Sequence, residues 1–168
     1  MKIYLFSLLL LLTSVPALTQ TKHDTDQWLL SQLVTDFRQS IITKDSSCFH
    51  SLFHHKNITW TGVFKTETQQ WRLQQDSLAE NFFDNDYQSF FNKLIKKPNV
   101  YEEVFCNLVI EHDGSIGFVS FDYSFWTNKK KENWGREIWT VVKANNQWKI
   151  ASVCFSLQLE EVKPEVAR

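Results

Sequence analysis

The stretch Gly117-Phe118-Val119-Ser120-Phe121-Asp122-Tyr123-Ser124-Phe125-Trp126-Thr127 decides how the chain is read. Positions 119, 121, 123 and 125 are apolar or aromatic while 120, 122 and 124 are Ser, Asp and Ser, the alternation of a half-buried strand. The same period runs outward from it, predicting strands over 100–112, 117–127, 134–144 and 147–159. Between them lie His112-Asp113-Gly114-Ser115, Asn128-Lys129-Lys130-Lys131 and Asn145-Asn146, short turn sequences that return each strand beside the last. An antiparallel meander is predicted for the back of the chain.

The front of the chain has the other period. Trp28, Leu29, Leu33, Val34, Phe37, Ile41 and Ile42 recur at three-and-four spacing, predicting a helix over 26–43 with Asp24 or Asp26 as N-cap. A short second helix is expected to carry Phe49, Leu52 and Phe53 after Ser46 or Ser47. Residues 57–64 read as a strand with a bulge at Gly62, and 76–97 as a third helix through Leu78, Phe82, Phe83, Phe90, Phe91, Leu94 and Ile95, ended by Pro98. Helices first and strands later predict an α+β fold, a curved antiparallel sheet with about three N-terminal helices on its concave face.

Pairing each strand across its turn with a constant residue sum sorts the two faces. The helix-covered face then carries Phe121, Tyr123, Ile138, Thr140, Val153 and Phe155. The other face carries Ser120, Asp122, Ser124, Trp126, Glu137, Trp139 and Ser152, where two indoles among small polar groups suggest a homodimer interface. A C-terminal segment, 159–166, folding back over those indoles is the competing arrangement.

The first 20 residues read as an address. Lys2, the apolar run 3–12 and the exit Val15-Pro16-Ala17 form a secretory signal peptide, shorter than the roughly 20 apolar residues that a membrane span needs. Cleavage is expected near residues 17–20, leaving 21–168 as one exported domain, periplasmic or secreted, without membrane insertion of the mature chain. Losing Lys2 alone leaves 17 basic against 19 acidic residues, a net charge of −2 that gathers no nucleic acid. Of the 168 residues, 15% are aromatic and 43% hydrophobic, which excludes disorder and supports a core. Cys48, Cys106 and Cys154 permit at most one internal disulfide, and are read as small buried hydrophobes.

The order of elements over 26–159 resembles the nuclear transport factor 2-like superfamily, which includes ketosteroid isomerases and SnoaL-like cyclases. The residues carrying the resemblance are Lys44-Asp45 ahead of Cys48-Phe49 and Leu52-Phe53, Ile58-Thr59-Trp60, and Asn145-Asn146-Gln147-Trp148-Lys149-Ile150. The resemblance implies a conical half-barrel with an apolar pocket between helices and sheet, often dimeric through the sheet. Its isomerase chemistry would need a Tyr on the first helix, a base on the first strand and an acid on the penultimate strand. Those positions count to Phe37, to Trp60 or Thr61, and to Ile138, so steroid-type enolisation is not expected.

The expected pocket comprises Phe37, Trp60, Phe121, Tyr123, Arg136, Ile138, Thr140, Val153 and Phe155, with Tyr123, Arg136 and Thr140 as its candidate catalytic groups. His50, His54 and His55 lack further ligands at motif spacing, so neither a metal nor a cofactor is expected. Three functions stay open: capture of a small apolar or amphipathic molecule; a lyase, isomerase or hydrolase with a non-standard site; and a dimerising interaction domain. The side chains lining the largest pocket discriminate among them. A carboxylate or His there favours catalysis, and an all-apolar lining favours binding.

Overall fold

The alternation after residue 100 forms four long strands in the computed structural model, which describes residues 17–166, with side chains from 25 onward. They are β3 (Tyr101–His112), β4 (Ile116–Thr127), β5 (Lys130–Ala144) and β6 (Gln147–Leu159). Asn128 and Lys129, and likewise Asn145 and Asn146, all have positive φ, the backbone that a two-residue hairpin needs to match strand twist. At the third turn the Asp113 carboxylate accepts from the backbone N–H of Ser115 and Ile116, at 2.8 and 2.9 Å.

The front supplies α1 (Ala17–Thr43), α2 (Ser46–Ser51), β1 (Thr59–Phe64), α3 (Thr66–Gln75), β2 (Phe82–Asp84) and α4 (Tyr87–Ile95). One sheet of six strands results, in the order β2-β1-β6-β5-β4-β3. The architecture is α+β as expected, with two corrections to its detail. β1 runs parallel to β6, so the sheet is mixed, and there are four helices among the described residues.

The helix expected over 76–97 divides. Leu78 is exposed, Phe82 and Phe83 pair with β1, and α4 starts only after Asp86, whose carboxylate caps it by accepting from Ser89 N–H at 2.6 Å. Gly62 makes no bulge. It pairs regularly on both sides, and a Cβ there would fall 2.5 Å from the Phe83 ring and 2.8 Å from that of Phe155, so its bareness lets two aromatic rings close over β1. Asp26 is not an N-cap but lies within α1, buried, accepting from Trp148 Nε1 at 3.0 Å and paired with Lys143 at 2.5 Å. Burial opposes its charge, yet those two hydrogen bonds outweigh burial and hold its carboxyl below the ordinary value.

The principal correction concerns register. At the hairpin tip Thr127 pairs with Lys130 and Trp126 with Lys131, but Phe125 pairs with Asn133, leaving Glu132 as an extra residue on β5. Every later residue of β5 is thereby turned over. Glu137, Trp139 and Val141 face the helices, while Arg136, Ile138 and Thr140 face outward with Asp122, Ser120 and Phe118. A second extra residue, Ala151 on β6, restores the phase, so Val153 and Phe155 stay on the concave side.

The core packs between α1, α2, α4 and that concave face. Phe37, Phe49, Phe91, Phe121 and Trp139 are all at most 1% exposed, and Trp139 lies against Phe37 and Phe121 at ring separations of 4.9 and 5.0 Å. Outside, the C-terminal segment docks at the β4–β5 end: Trp134 Nε1 donates to Lys163 O at 3.0 Å and Lys131 pairs with Glu165 at 2.8 Å. None of the cysteines is bonded, and Cys106 and Cys154 are exposed on the outer face rather than buried.

Candidate functional site

Where α1, α4, β1 and β2 approach the concave sheet, a partly open cavity of about 210 Å³ remains. A cavity of about 150 Å³ holds a benzene ring, so this one accommodates a small substituted ring. Its walls are Phe37 from α1, Trp60 from β1, Phe83 from β2, Phe90 from α4, Phe125 from β4, and Phe155 and Leu157 from β6. Polar groups reach it from five places: Asn85, Asn133, Tyr123, Glu103 and Glu137.

The two glutamates define the chemistry. Glu103 from β3 and Glu137 from β5 are 5% and 4% exposed, so each carboxylate has surrendered nearly all its hydration. Burial, and then the neighbouring Glu137 charge, push Glu103 well above the usual carboxylate range. Burial likewise pushes Glu137 up to about 7, against the indole N–H of Trp139, which donates to its Oε1 at 2.5 Å and favours the ionised form. Both shifts run upward, so the pair retains a proton at neutral pH that the two carboxyl groups share.

Tyr123 completes the set from β4. Its hydroxyl donates to Ser156 O at 3.0 Å, and Gly135 makes that reach available, since a Cβ at 135 would sit 1.8 Å from the same carbonyl oxygen. Burial and the two glutamate charges push the phenol well above its ordinary value, so it stays neutral, with its oxygen lone pairs available to accept. Arg38 of α1 buttresses this wall by donating through Nε to Glu103 O at 3.1 Å and pairing with Glu102.

No family model and no curated protein matches the sequence. Solved structures do resemble the fold. A proposed scytalone dehydratase from Novosphingobium aromaticivorans superposes with a TM-score of 0.63 at 12% identity, covering 89% of this chain and 93% of that one. The β subunit of a proposed aromatic-ring-hydroxylating dioxygenase from the same organism gives 0.60 at 10% identity over 81% and 91%. A nuclear transport factor 2-like protein of unknown function from Pseudomonas putida gives 0.58 at 9% identity over 89% and 94%. The fold is that of the nuclear transport factor 2-like proteins.

Within this nuclear transport factor 2-like frame, Phe37, Trp60, Tyr123 and Phe155 line the cavity. Phe121 and Val153 share the concave face but are sealed in the core. Arg136, Ile138 and Thr140 lie on the opposite side of the sheet, where Thr140 Oγ1 meets Ser152 Oγ at 2.7 Å and Arg136 stands 3.9 Å from Asp122. They cannot act in the cavity, because the Glu132 bulge turns them away from it. The same bulge removes Glu137 and Trp139 from the outer surface, whereas Ser120, Asp122, Ser124, Trp126 and Ser152 remain there.

Among the described residues no group of His, Cys, Asp and Glu is arranged to hold a metal, and His50 packs against the rings of Phe49, Tyr87 and Phe91. The sequence reading missed Glu103, although a signal for it exists. It stands in phase between Tyr101 and Phe105, an acid interrupting an apolar stripe.

Proposed function

We propose that the cavity is the active site of an acid–base enzyme of the isomerase or lyase type, acting on a small, mostly apolar molecule. The observation that supports it is the pair of buried carboxyl groups, Glu103 and Glu137, in an aromatic pocket. Ionised Glu137 removes a proton from a C–H of the substrate, and protonated Glu103 returns one to another substrate atom. The product is an isomer or, where a hydroxyl leaves, an alkene plus water. Glu137 then passes its proton back to Glu103 directly or through water, so the pair's single proton is conserved. The isomerase pattern asks for a carboxyl group on the penultimate strand, and Glu137 stands there, one residue from the counted position, although in this proposal it serves as the base and Glu103 as the acid. A proposed dehydratase among the similar structures fits the lyase branch.

The test is exchange and elimination with a panel of small cyclic and aromatic ketones and β-hydroxy ketones in deuterium oxide, followed by NMR. Wild type is expected to exchange or eliminate at least one, with a loss of about 100-fold in Glu137→Gln. A second reading, capture of a small apolar or amphipathic molecule without turnover, is favoured by the aromatic walls. It prevails if no panel member reacts faster than in buffer while ligands still bind the Glu103→Gln, Glu137→Gln double variant.

Export and dimerisation belong to the same proposal. The signal sequence supports export with cleavage near residues 17–20, although residues 1–16 lie outside the described residues. An N-terminus near 18–21 in the secreted or periplasmic fraction, read by mass spectrometry, is the expected result, and an uncleaved chain retained in the cytosol opposes it. On the outer face Val104, Val109, Phe118 and Ile138 are between 36% and 47% exposed around Ser120, Asp122 and Ser152, a mixed patch suited to a second copy. Ile138→Glu is expected to convert a sedimenting dimer to a folded monomer. A wild-type chain that sediments as monomer at high concentration removes that part of the proposal.

A further inference from the structure

The charge of the cavity wall is one-sided. Glu103 and Glu137 contribute two carboxyl groups, and no Lys, Arg or His stands among the lining residues. Two cations adjoin lining residues in sequence: Arg38 is committed to Glu102 and to the backbone carbonyl of Glu103, and Arg136 faces the opposite side of the sheet beside Asp122. An anionic ligand would meet two buried acids and no counter-charge, which excludes carboxylates, phosphates and sulfates.

The remaining wall is built of π faces set at angles to one another. Trp60 and Phe90 lie 5.3 Å apart at 31°, Phe90 and Phe125 6.2 Å apart at 64°, and Phe83 and Phe155 5.7 Å apart at 72°. Rings turned in this way do not stack as one slab, and all five line the cavity. A desolvated cation gains from several such faces at once, and a carboxylate beside it supplies the charge that a purely apolar box lacks.

We propose that the ligand this cavity selects is a small organic cation, a substituted ammonium of about the size of a benzene ring. The proposal rests on the reading of this cavity as the ligand site and adds the chemical class of what enters it. A neutral hydrocarbon would fill the volume but bring no counter-charge to the two buried carboxyl groups, of which Glu137 has the Trp139 indole as its donor, whereas an ammonium brings that charge and meets the ring faces together. A positive nitrogen next to a C–H also acidifies it, which suits a carboxylate base. On entry the cation takes the place of the shared proton: the O–H bond of the protonated carboxyl breaks, the proton leaves to solvent, and the carboxylate pairs with the ligand.

The groups facing the pair are few enough to read that exchange cleanly. Among the described residues Tyr123 is the one further titratable side chain lining the cavity, and the other elements present aromatic rings, Leu157 and the amides of Asn85 and Asn133.

The experiment is titration calorimetry on the intact folded protein with choline and with dimethylbutanol, its neutral carbon isostere, in buffers of different ionisation enthalpy. At about pH 8 choline is expected to bind about tenfold tighter than the alcohol. Near neutral pH choline binding should release up to one proton, and the preference should fade toward about pH 5, where the pair is fully protonated. Glu137→Gln should bring the two affinities within about twofold of each other, and Phe90→Leu, which keeps apolar volume but removes a ring, should lower choline binding more than alcohol binding. Dimethylbutanol binding as tightly as choline at every pH overturns the cation class while leaving the cavity a ligand site. Binding of neither probe overturns the cation class and the ligand-site reading together.

Discussion

Asp122 on the outer face of β4 and Glu137 on the concave face of β5 are both acids with less than a tenth of their surface exposed, yet their surroundings differ in kind. Asp122 accepts from Asn107 Nδ2 at 2.7 Å and has Arg136 3.9 Å away, so its charge is met from two sides. Glu137 has one donor, the Trp139 indole, and beyond it the rings and the second acid Glu103. A met charge is structural. A buried acid with little to compensate it, opening on a cavity, is reactive, because its protonation equilibrium lies where solvent and ligand can tip it. Under the proposed function the two faces of one sheet would divide the work, one associating and the other reacting.

The largest expected effect tests the register that creates this division. Trp139 is fully buried while its neighbour Ile138 is 47% exposed. Trp139→Ala should cost about 3–5 kcal/mol of stability and Ile138→Ala, measured on the monomer, less than about 0.5 kcal/mol. Urea unfolding of the two variants measures both. Equal costs, or the reverse order, would place β5 the other way up and take Glu137 out of the cavity, leaving Glu103 of β3 alone there.

That register was the part hardest to see in the sequence. The strands themselves were legible, because alternation in 117–127 and the Asn-rich turns fix hairpins by local chemistry alone. Constant-sum pairing was also correct at the tip, where Thr127 meets Lys130. It failed two residues later at Glu132, since a bulge needs no glycine or proline and leaves no compositional trace. One unmarked residue exchanged Glu137 and Trp139 for Arg136, Ile138 and Thr140, which reversed the candidate site while leaving the fold intact. α3 was missed for a different reason: it is mostly polar and exposed, and is tied down through Thr68 Oγ1, which accepts from Gln158 Nε2 at 2.8 Å and Leu159 N–H at 2.9 Å. Bonds to residues 90 positions away have no local signature.

The second effect sharpens the contrast through pH. Glu137 ordinarily titrates at 4.5 and is raised to about 7 in the fold, so between those values the unfolded chain has lost a proton that the native state keeps. Native stability is then complete below the unfolded value and falls as pH rises through the folded one, with Glu103 prolonging the fall in the same direction. Glu137→Gln removes this liability. It should match wild type near pH 4 and exceed it by roughly 1–3 kcal/mol at pH 8, as measured by unfolding midpoints across the range. A variant less stable than wild type at pH 8 would mean that Glu137 is a satisfied structural group.

The smallest effect belongs to the outer acid. The Arg136 side chain is 52% exposed and its Nη1 lies 3.9 Å from Asp122 Oδ1, so water and salt screen the attraction, and Asn107 continues to hold the carboxylate when the guanidinium is gone. Arg136→Ala should therefore shift monomer stability by no more than about 0.5 kcal/mol, with the shift shrinking in high salt. Because Arg136 stands on the far side of the sheet from Glu103 and Glu137, its loss should also leave ligand binding in the cavity and any turnover unchanged. Unfolding midpoints at low and high salt test the first expectation, and the same calorimetric titration used for the cavity tests the second. A guanidinium that proved essential for turnover or ligand binding would show that the outer face contributes to function directly, and the separation of an associating face from a reacting one would fail at that residue.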